Sequence, residues 1–226
     1  MVDLPSDIDH NKLKVIHQST SKTKIDFKKK KKIISFIGKL NSSKGYDIFG
    51  KAILKILKKY KSWNAIVIGD EPRQKFFFKH DRLFHLGFKE HGFILNKLKE
   101  VSIAVVPSRW DEPFGRSSLE ASSRGCALIL SNTGGLRETT NYALVLNEIT
   151  ENDLFNKINL LIKDTNLRKK LQKKTYEHFK LTNKFASKTI DNLRVELTEK
   201  KINLLTKLTK PLKILHITNF NERFDG

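Results

Sequence analysis

The sequence predicts an α/β fold: a single doubly wound, Rossmann-like parallel sheet covered by helices on both faces, with further helices at the C-terminal end. Two observations carry this prediction. Short apolar runs, typical of strands, alternate with segments whose apolar residues recur at helical spacing. Most of the short runs are nearly continuous in apolar residues, without regular polar positions, which indicates strands that are buried on both faces.

The strand candidates are short, rich in β-branched residues, and mostly closed by glycine, proline or a polar residue. In chain order they are IISFIG (33–38), AIVIG (65–69), RLFHLG (82–87), IAVVP (103–107), ALIL (127–130) and YALVL (142–146). Because helices separate most of these strands, we expect parallel neighbours joined by right-handed crossovers.

The helix candidates lie between the strands and after residue 150. They are YDIFGKAILKILKKY (46–60), FILNKLKEV (93–101), GRSSLEASSRG (115–125), ENDLFNKINLLIKD (151–164), LRKKLQKKTYEHFK (167–180) and a long segment over 183–208. The first of these has apolar residues on one helical face, as expected of a helix that packs on a sheet.

The domain organisation predicted from these elements has three parts. Residues 1–32 form a lead-in or linker, with a possible strand at KLKVIHQST (12–20) and a solvated end at the lysine run 28–32. Residues 33–200 form the main domain. Residues 201–226 contain the end of the last helix and KILHIT (213–218), a strand that would begin a further, truncated unit.

The composition is strongly basic, with a net charge of +20 from 35 lysines and 9 arginines. Three interpretations stay open: solvated surface lysines, loose contact with an anionic membrane surface, and nucleic-acid binding. Because arginines are few and no known nucleic-acid-binding motif is visible, we expect no specific binding to a nucleic acid. A single cysteine and the lack of a signal peptide or long apolar run predict a cytoplasmic protein, at most peripheral to a membrane.

Ligands of an open parallel sheet bind beyond the carboxyl ends of its strands. The loop after the first strand, GKLNSSKG (38–45), carries Lys39 and Lys44 and leads into a helix, which favours a phosphate group. It lacks the residue order of a Walker loop. The competing interpretation is an ordinary connecting loop with surface lysines.

The loop after IAVVP contains EPFGRSSLE (112–120), where Glu112 and Glu120 flank a turn at Phe114–Gly115. Carboxylates accept hydrogen bonds from sugar and ribose hydroxyls, and the turn leads into helix amides. The alternative is helix capping beside a solvated glutamate. The loop after ALIL contributes Gly134 and Gly135, where a backbone can approach a ligand closely. The three loops together describe a nucleotide-sugar pocket.

The blocks FIGKLNSSKG, AIVIGDEP, RLFHLG and VVPSRWDEPFGRSSLEASSRGCALILSNTGGLRE resemble the C-terminal, donor-binding domain of retaining GT-B glycosyltransferases. More narrowly, they resemble family 4, also called glycosyl transferases group 1, over about residues 33–200. The resemblance implies half of a two-domain enzyme that transfers a sugar from a nucleoside-diphosphate sugar. KILHITNF similarly resembles the first strand of an N-terminal domain of this kind.

The resemblance also implies roles for individual residues. Glu112 would contact the donor sugar in a catalytic role, and Glu120 would hold the ribose hydroxyls. Lys39, in place of the family's usual arginine, and Lys44 would grip the diphosphate as catalytic residues. Glu138 would support the double-glycine loop. The remaining substrate-binding positions implied are the backbone or loop residues Gly38, Gly87, Phe88, Phe114, Gly115, Arg116, Gly134 and Gly135.

No metal or other cofactor is expected, because lysines and helix amides can neutralise a leaving diphosphate and no acidic pair has metal-ligand spacing. His80, His85 and His91 are interpreted as scattered or packed histidines. The expected partners are a nucleotide-sugar donor and a separate acceptor-binding domain or chain. Two other hypotheses stay open: a donor-binding fragment without activity of its own, and a basic, nonenzymatic domain that binds nucleic acid or a membrane surface.

Overall fold

The computed structural model describes residues 13–74 and 76–205 of the 226-residue chain. Residues up to Ala186 belong to one compact unit, and Ser187 begins a second. The predicted strand KILHIT (213–218) lies outside the described residues.

Six strands form a single sheet in which all neighbouring strands run parallel. They are β1 (Lys31–Ile37), β2 (Asn64–Ile68), β3 (Leu83–His85), β4 (Val101–Val106), β5 (Ala127–Leu130) and β6 (Ala143–Val145). Their order across the sheet is β3-β2-β1-β4-β5-β6. The predicted doubly wound parallel sheet is therefore confirmed.

Six α-helices occupy the predicted segments, with ends that shift by a few residues. They are α1 (Tyr46–Lys59), α2 (His91–Leu98), α3 (Arg116–Ser123), α4 (Glu151–Lys163), α5 (Thr165–Glu177) and α6 (Asn183–Leu205). Two 3-10 helices, Phe27–Lys29 and Gly134–Thr139, complete the regular structure of the described residues.

The two faces of the sheet bury alternate residues of each strand. Ile34 and Phe36 of β1 pack in the core cluster that contains α1 and α4, whereas Ile33 packs with Leu98 of α2 and Ala121 of α3. The chain continues from β1 toward β2 and from β4 toward β5, so the winding direction reverses between β1 and β4. Such a switch point leaves a crevice at the carboxyl ends of the two strands.

The strand predicted for KLKVIHQST is wrong within residues 13–20. Only Thr20 makes a bridge, with Thr182, and it bonds through backbone groups to Leu181 and Asn183. This segment pairs with the chain after α5 and does not join the sheet. Arg124, after α3, donates hydrogen bonds to the carbonyl and hydroxyl oxygens of Ser21 and so holds the end of this segment.

The lysine run at 28–32 was expected to be a solvated linker end, which is wrong for Lys30. Its ammonium group donates hydrogen bonds to the backbone carbonyls of Leu98 (3.0 Å), Val101 (2.7 Å) and Arg124 (2.7 Å). Leu98 ends α2 and Arg124 caps α3, so the cation lies at the negative ends of two helix dipoles. Burial lowers the pKa of Lys30 from its ordinary value.

Replacing Lys30 with methionine tests this cap. Lys30→Met keeps a long apolar stem but leaves three carbonyls without their donor, so we expect the free energy of unfolding to fall by about 1–3 kcal/mol. Urea denaturation measures the change. The matched control is Lys29→Met, at an exposed position of the same run, where we expect less than about 0.5 kcal/mol. Equal stability of the two variants would mean that burying the ammonium costs as much as its hydrogen bonds contribute.

Candidate functional site

A cleft of about 650 Å³ opens at the switch point between β1 and β4. Its walls come from the loop after β1, the loop after β4 and the first turn of α3. The polar and charged side chains that line it are Lys39, Asn41, Ser43, Lys44, Ser108, Trp110, Glu112, Arg116 and Ser117. The cleft therefore brings together residues that lie far apart in the sequence, at the edge where the sheet topology predicts a ligand.

The two principal loops of the cleft are joined at the carbonyl oxygen of Ser43. This oxygen accepts hydrogen bonds from the backbone amides of Arg109 (2.8 Å) and Trp110 (3.1 Å) and from the Ser108 hydroxyl (3.2 Å). The Arg109 guanidinium also forks onto both carboxylate oxygens of Asp47, at 2.7 and 2.9 Å. Burial opposes ionisation of Asp47, but the Arg109 contact, together with hydrogen bonds from its own backbone amide and that of the next residue, lowers its pKa.

Two helices begin at this cleft without a side-chain cap. α1 follows Gly45 and α3 follows Gly115, each in a left-handed conformation. At Gly45, φ is +73°, and a Cβ atom would lie 2.9 Å from the carbonyl carbon of Pro107. Glycine thus permits both the turn and the close approach of the two loops. At the start of α1 the amides of Asp47 and Ile48 already bond to the Asp47 carboxylate. The N-terminus of α3, where Gly115, Arg116 and Ser117 line the cleft, is therefore the one that favours an anionic ligand.

The two lysines of the loop after β1 differ in their surroundings. The Lys44 ammonium lies 2.5 Å from Oε1 of Glu112, and both side chains are largely buried. Lys39 follows Gly38 at the cleft and is exposed. The structure thus joins Lys44 and Glu112, which the sequence assigned to separate ligand groups, in one ion pair.

Glu120 is buried in α3, and its Oε1 receives two hydrogen bonds. The donors are Nε of Arg116 (2.9 Å) and Nε2 of His91 (2.8 Å). His91, which was expected to be a scattered or packed histidine, thus packs against a predicted site residue. His91 begins α2, and the sequence carries no spacing signal that connects it to Glu120.

Gly134 and Gly135 lie against the loop that carries Glu112. Their amides donate to Asp111 Oδ1 (3.1 Å) and to the Glu112 carbonyl (2.7 Å). With φ at +49°, a Cβ atom on Gly134 would lie 2.6 Å from the Glu112 amide nitrogen. The double glycine thus allows close approach to the protein's own backbone and fixes the position of Glu112.

Phe114 and Glu138 do not line the cleft. Phe114 is buried and stacks on the ring of His17, with the ring centroids 5.1 Å apart. His17 Nδ1 lies 3.3 Å from Oε2 of Glu138. These contacts connect the lead-in segment with the Gly134–Thr139 helix.

Gly87 and Phe88 follow β3 at the same edge of the sheet and are exposed. They do not line the β1–β4 cleft. The Gly87 carbonyl accepts a hydrogen bond from Gly69, which follows β2.

Within residues 13–74 and 76–205, no three His, Cys, Asp or Glu side chains are grouped so that they could hold a metal ion. None of the helices described there combines the length and apolar character needed to cross a bilayer.

The parallel sheet with its switch-point cleft defines an α/β domain of the kind that forms the C-terminal half of GT-B glycosyltransferases. Residues 17–178 match the family described as glycosyl transferases group 1. The chain belongs to this family.

Individual relatives agree with this assignment. An uncharacterized glycosyltransferase of Methanocaldococcus jannaschii is 33% identical over 116 residues, which are 47% of this chain and 29% of that protein. The crystal structure of the C-terminal domain of a glycosyl transferase group 1 family protein from Francisella tularensis superposes with a TM-score of 0.58. It is 27% identical and covers 64% of this chain and 82% of that one.

A third similar protein, HepE of Anabaena, was crystallised in complex with UDP and glucose. It has a TM-score of 0.58 at 19% identity, covering 73% of this chain and 48% of that chain, and so supports the fold. The chain matches only 28% to 33% of the length of the first three curated relatives.

The double-glycine contact predicts that Gly134→Ala displaces the backbone of Asp111 and Glu112. The added methyl group would overlap backbone atoms and hold an unfavourable φ, so we expect a loss of about 1–3 kcal/mol in the free energy of unfolding. Urea denaturation measures it.

Gly92→Ala in α2 is the matched control, since a Cβ atom there meets nothing within 4 Å. We expect it to be neutral or to stabilise the chain by up to about 1 kcal/mol. A Gly134→Ala variant as stable as the wild type would show that this contact does not fix the Glu112 loop.

Proposed function

We propose that this chain is the donor-binding half of a glycosyltransferase that transfers a sugar from a nucleoside-diphosphate sugar to an acceptor. Retention of the anomeric configuration is expected from the resemblance to the retaining GT-B enzymes. The observation that carries the proposal is the Lys44–Glu112 pair, which lines a cleft at the N-terminus of α3, where no side chain caps the helix. A cation, helix amides and a carboxylate in one cleft fit a ligand with phosphate and hydroxyl groups.

The diphosphate is assigned to the loop after β1. Lys44 and the exposed Lys39 line the cleft there, and the first amides of α3 add partial positive charge. When the sugar–phosphate bond breaks, the leaving diphosphate gains negative charge. Lysines and amides that already face this charge stabilise the transition state more than they stabilise the bound donor.

The hydroxyl groups of the donor are assigned to the two glutamates. Glu112 faces the cleft beside Lys44 and accepts hydrogen bonds from the sugar. Glu120 accepts hydrogen bonds from the ribose, with Arg116 and His91 holding its carboxylate in place. Gly87 and Phe88, after β3, are assigned to the nucleobase, as the family resemblance implies.

The step assigned to the cleft is cleavage of the bond between the anomeric carbon and the diphosphate oxygen. The bonding electrons leave with the diphosphate, and the acceptor oxygen forms the new bond while its proton passes to the departing diphosphate oxygen. Lysines and helix amides supply the positive charge that a divalent cation supplies in other enzymes, so we expect no metal to be required. The acceptor is assigned to a further domain or partner chain.

Lys44→Ala tests the assignment of the diphosphate. UDP, GDP and ADP are added separately to the wild-type chain, and the accepted nucleotide should raise the melting temperature. A ligand at a hundred times its Kd contributes about 2.7 kcal/mol. We expect Lys44→Ala to weaken binding by about 10- to 100-fold, the effect of one lost charge-assisted hydrogen bond.

Lys51→Ala is the control for charge alone, because Lys51 is exposed on α1 and does not line the cleft. We expect its affinity to stay within about twofold of the wild type. If Lys44→Ala and Lys51→Ala lost the same affinity for the nucleotide, the basic surface would attract it nonspecifically. Failure of every nucleoside diphosphate to stabilise the wild-type chain would contradict donor binding.

Glu120→Ala tests the assignment of the ribose. The wild-type chain should bind UDP, or GDP if that is the accepted nucleotide, more tightly than its 2′,3′-dideoxy analogue. Glu120→Ala should remove this preference, because the acceptor of the hydroxyl groups is gone. Isothermal titration calorimetry measures both ligands.

Glu90→Ala removes the same charge next to His91 at an exposed residue without a side-chain cap bond. It should keep the preference for the ribose hydroxyls. A Glu120→Ala chain that still prefers the natural nucleotide would assign Glu120 a structural role.

A further inference from the structure

Trp110 is an exposed aromatic side chain at the mouth of the cleft. It lines the cleft with Lys44 and Glu112, and 60% of its surface is exposed. Within the part of the chain that the structure describes, its indole makes no hydrogen bond and no ring contact. Because tryptophan is highly buried on average, a free indole at a cleft indicates a ligand contact more than a packing role.

The backbone that carries this indole is firmly held. The Trp110 amide donates to Ser43, and its carbonyl accepts a hydrogen bond from the Ser108 hydroxyl at 3.1 Å. The neighbouring Arg109 is clamped to Asp47. The backbone that carries the ring is therefore fixed, so binding would not have to order this loop.

The chemistry next to Trp110 selects the kind of ligand. A pyranose ring carries hydroxyls around its edge and C–H groups on its faces. Glu112, two residues away in the same cleft, can accept hydrogen bonds from the edge. The flat, apolar indole can cover a C–H face, and its N–H can donate to a hydroxyl. A carboxylate beside an exposed indole thus matches both surfaces of one sugar ring.

We propose that Trp110 packs against the ring of the donor sugar whose hydroxyls Glu112 binds. This assignment rests on the proposed function and extends it to a residue that sets the affinity for the sugar. A nucleobase is the less suitable occupant, because the ribose-binding carboxylate, Glu120, contacts His91 at the start of α2 and not the loop that carries Trp110.

Tryptophan fluorescence tests this contact directly. The chain has two tryptophans, and Trp63 is only 3% exposed, so acrylamide should quench mainly Trp110. Acrylamide is neutral, and the basic surface therefore does not concentrate it. The probes are UDP, UDP-glucose, UDP-N-acetylglucosamine, GDP, GDP-mannose, ADP and ADP-glucose, with binding measured by thermal shift. We expect an accepted nucleotide sugar to lower the quenching constant at least about twofold, and its nucleoside diphosphate alone to leave it nearly unchanged.

Variants at Trp110 separate the sugar contact from nucleotide binding. Trp110→Ala should weaken binding of the accepted nucleotide sugar about 3- to 10-fold, as loss of an aromatic contact does. The affinity for the nucleoside diphosphate should stay within about twofold of the wild type. Trp110→Phe should restore most of the affinity for the nucleotide sugar that Trp110→Ala loses. Because only the buried Trp63 then remains, Trp110→Phe should also abolish the fluorescence that acrylamide can quench.

The outcomes distinguish the two proposals. A nucleotide sugar that stabilises the chain without protecting Trp110, or equal protection by the nucleotide alone, would overturn the role of Trp110 and leave the proposed function standing. If Trp110→Ala lost equal affinity for the nucleotide and for the nucleotide sugar, that result would also overturn the role of Trp110. If no nucleotide or nucleotide sugar stabilises the wild-type chain, both proposals fail together.

Discussion

The carbonyl oxygen of Ser43 is the contact on which the cleft depends. β1 and β4 are neighbours in the sheet, but the chain leaves them in opposite winding directions, so their loops would otherwise diverge. Three donors from residues 108–110 converge on this one oxygen. The contact fixes the distance between the lysine-bearing loop and the glutamate-bearing loop, and Gly45 lets the backbones meet because a side chain there would overlap Pro107.

Both glutamates of the site are already partnered by basic side chains in a chain of net charge +20. Lys44 holds Glu112, and Arg116 and His91 hold Glu120. A buried carboxylate needs such partners, because leaving it unpaired would cost several kcal/mol. The pairing also fixes each carboxylate in one orientation while it keeps acceptor positions for hydroxyl groups. The same contacts thus stabilise the fold and hold both carboxylates in place.

The strands and helices were predictable because their apolar patterns are local, and these patterns held for all six strands and six helices. The edge of the sheet at which the cleft lies was also predictable, because a parallel sheet binds ligands at the carboxyl ends of its strands. Contacts between distant residues were not predictable: nothing in the sequence links His91 to Glu120 or Lys44 to Glu112. Lys30 could not be distinguished from its four lysine neighbours, because its inward direction depends on the ends of α2 and α3 meeting there.

We propose that a diphosphate binds where the loops after β1 and β4 meet. A crystal structure of the chain with the nucleoside diphosphate that stabilises it would locate both phosphates. We expect them at the N-terminus of α3, with Lys44 in hydrogen-bonding distance and the ribose next to Glu120. A nucleotide bound at another edge of the sheet, or phosphates that contact neither Lys44 nor the N-terminus of α3, would show that the proposed binding site is wrong.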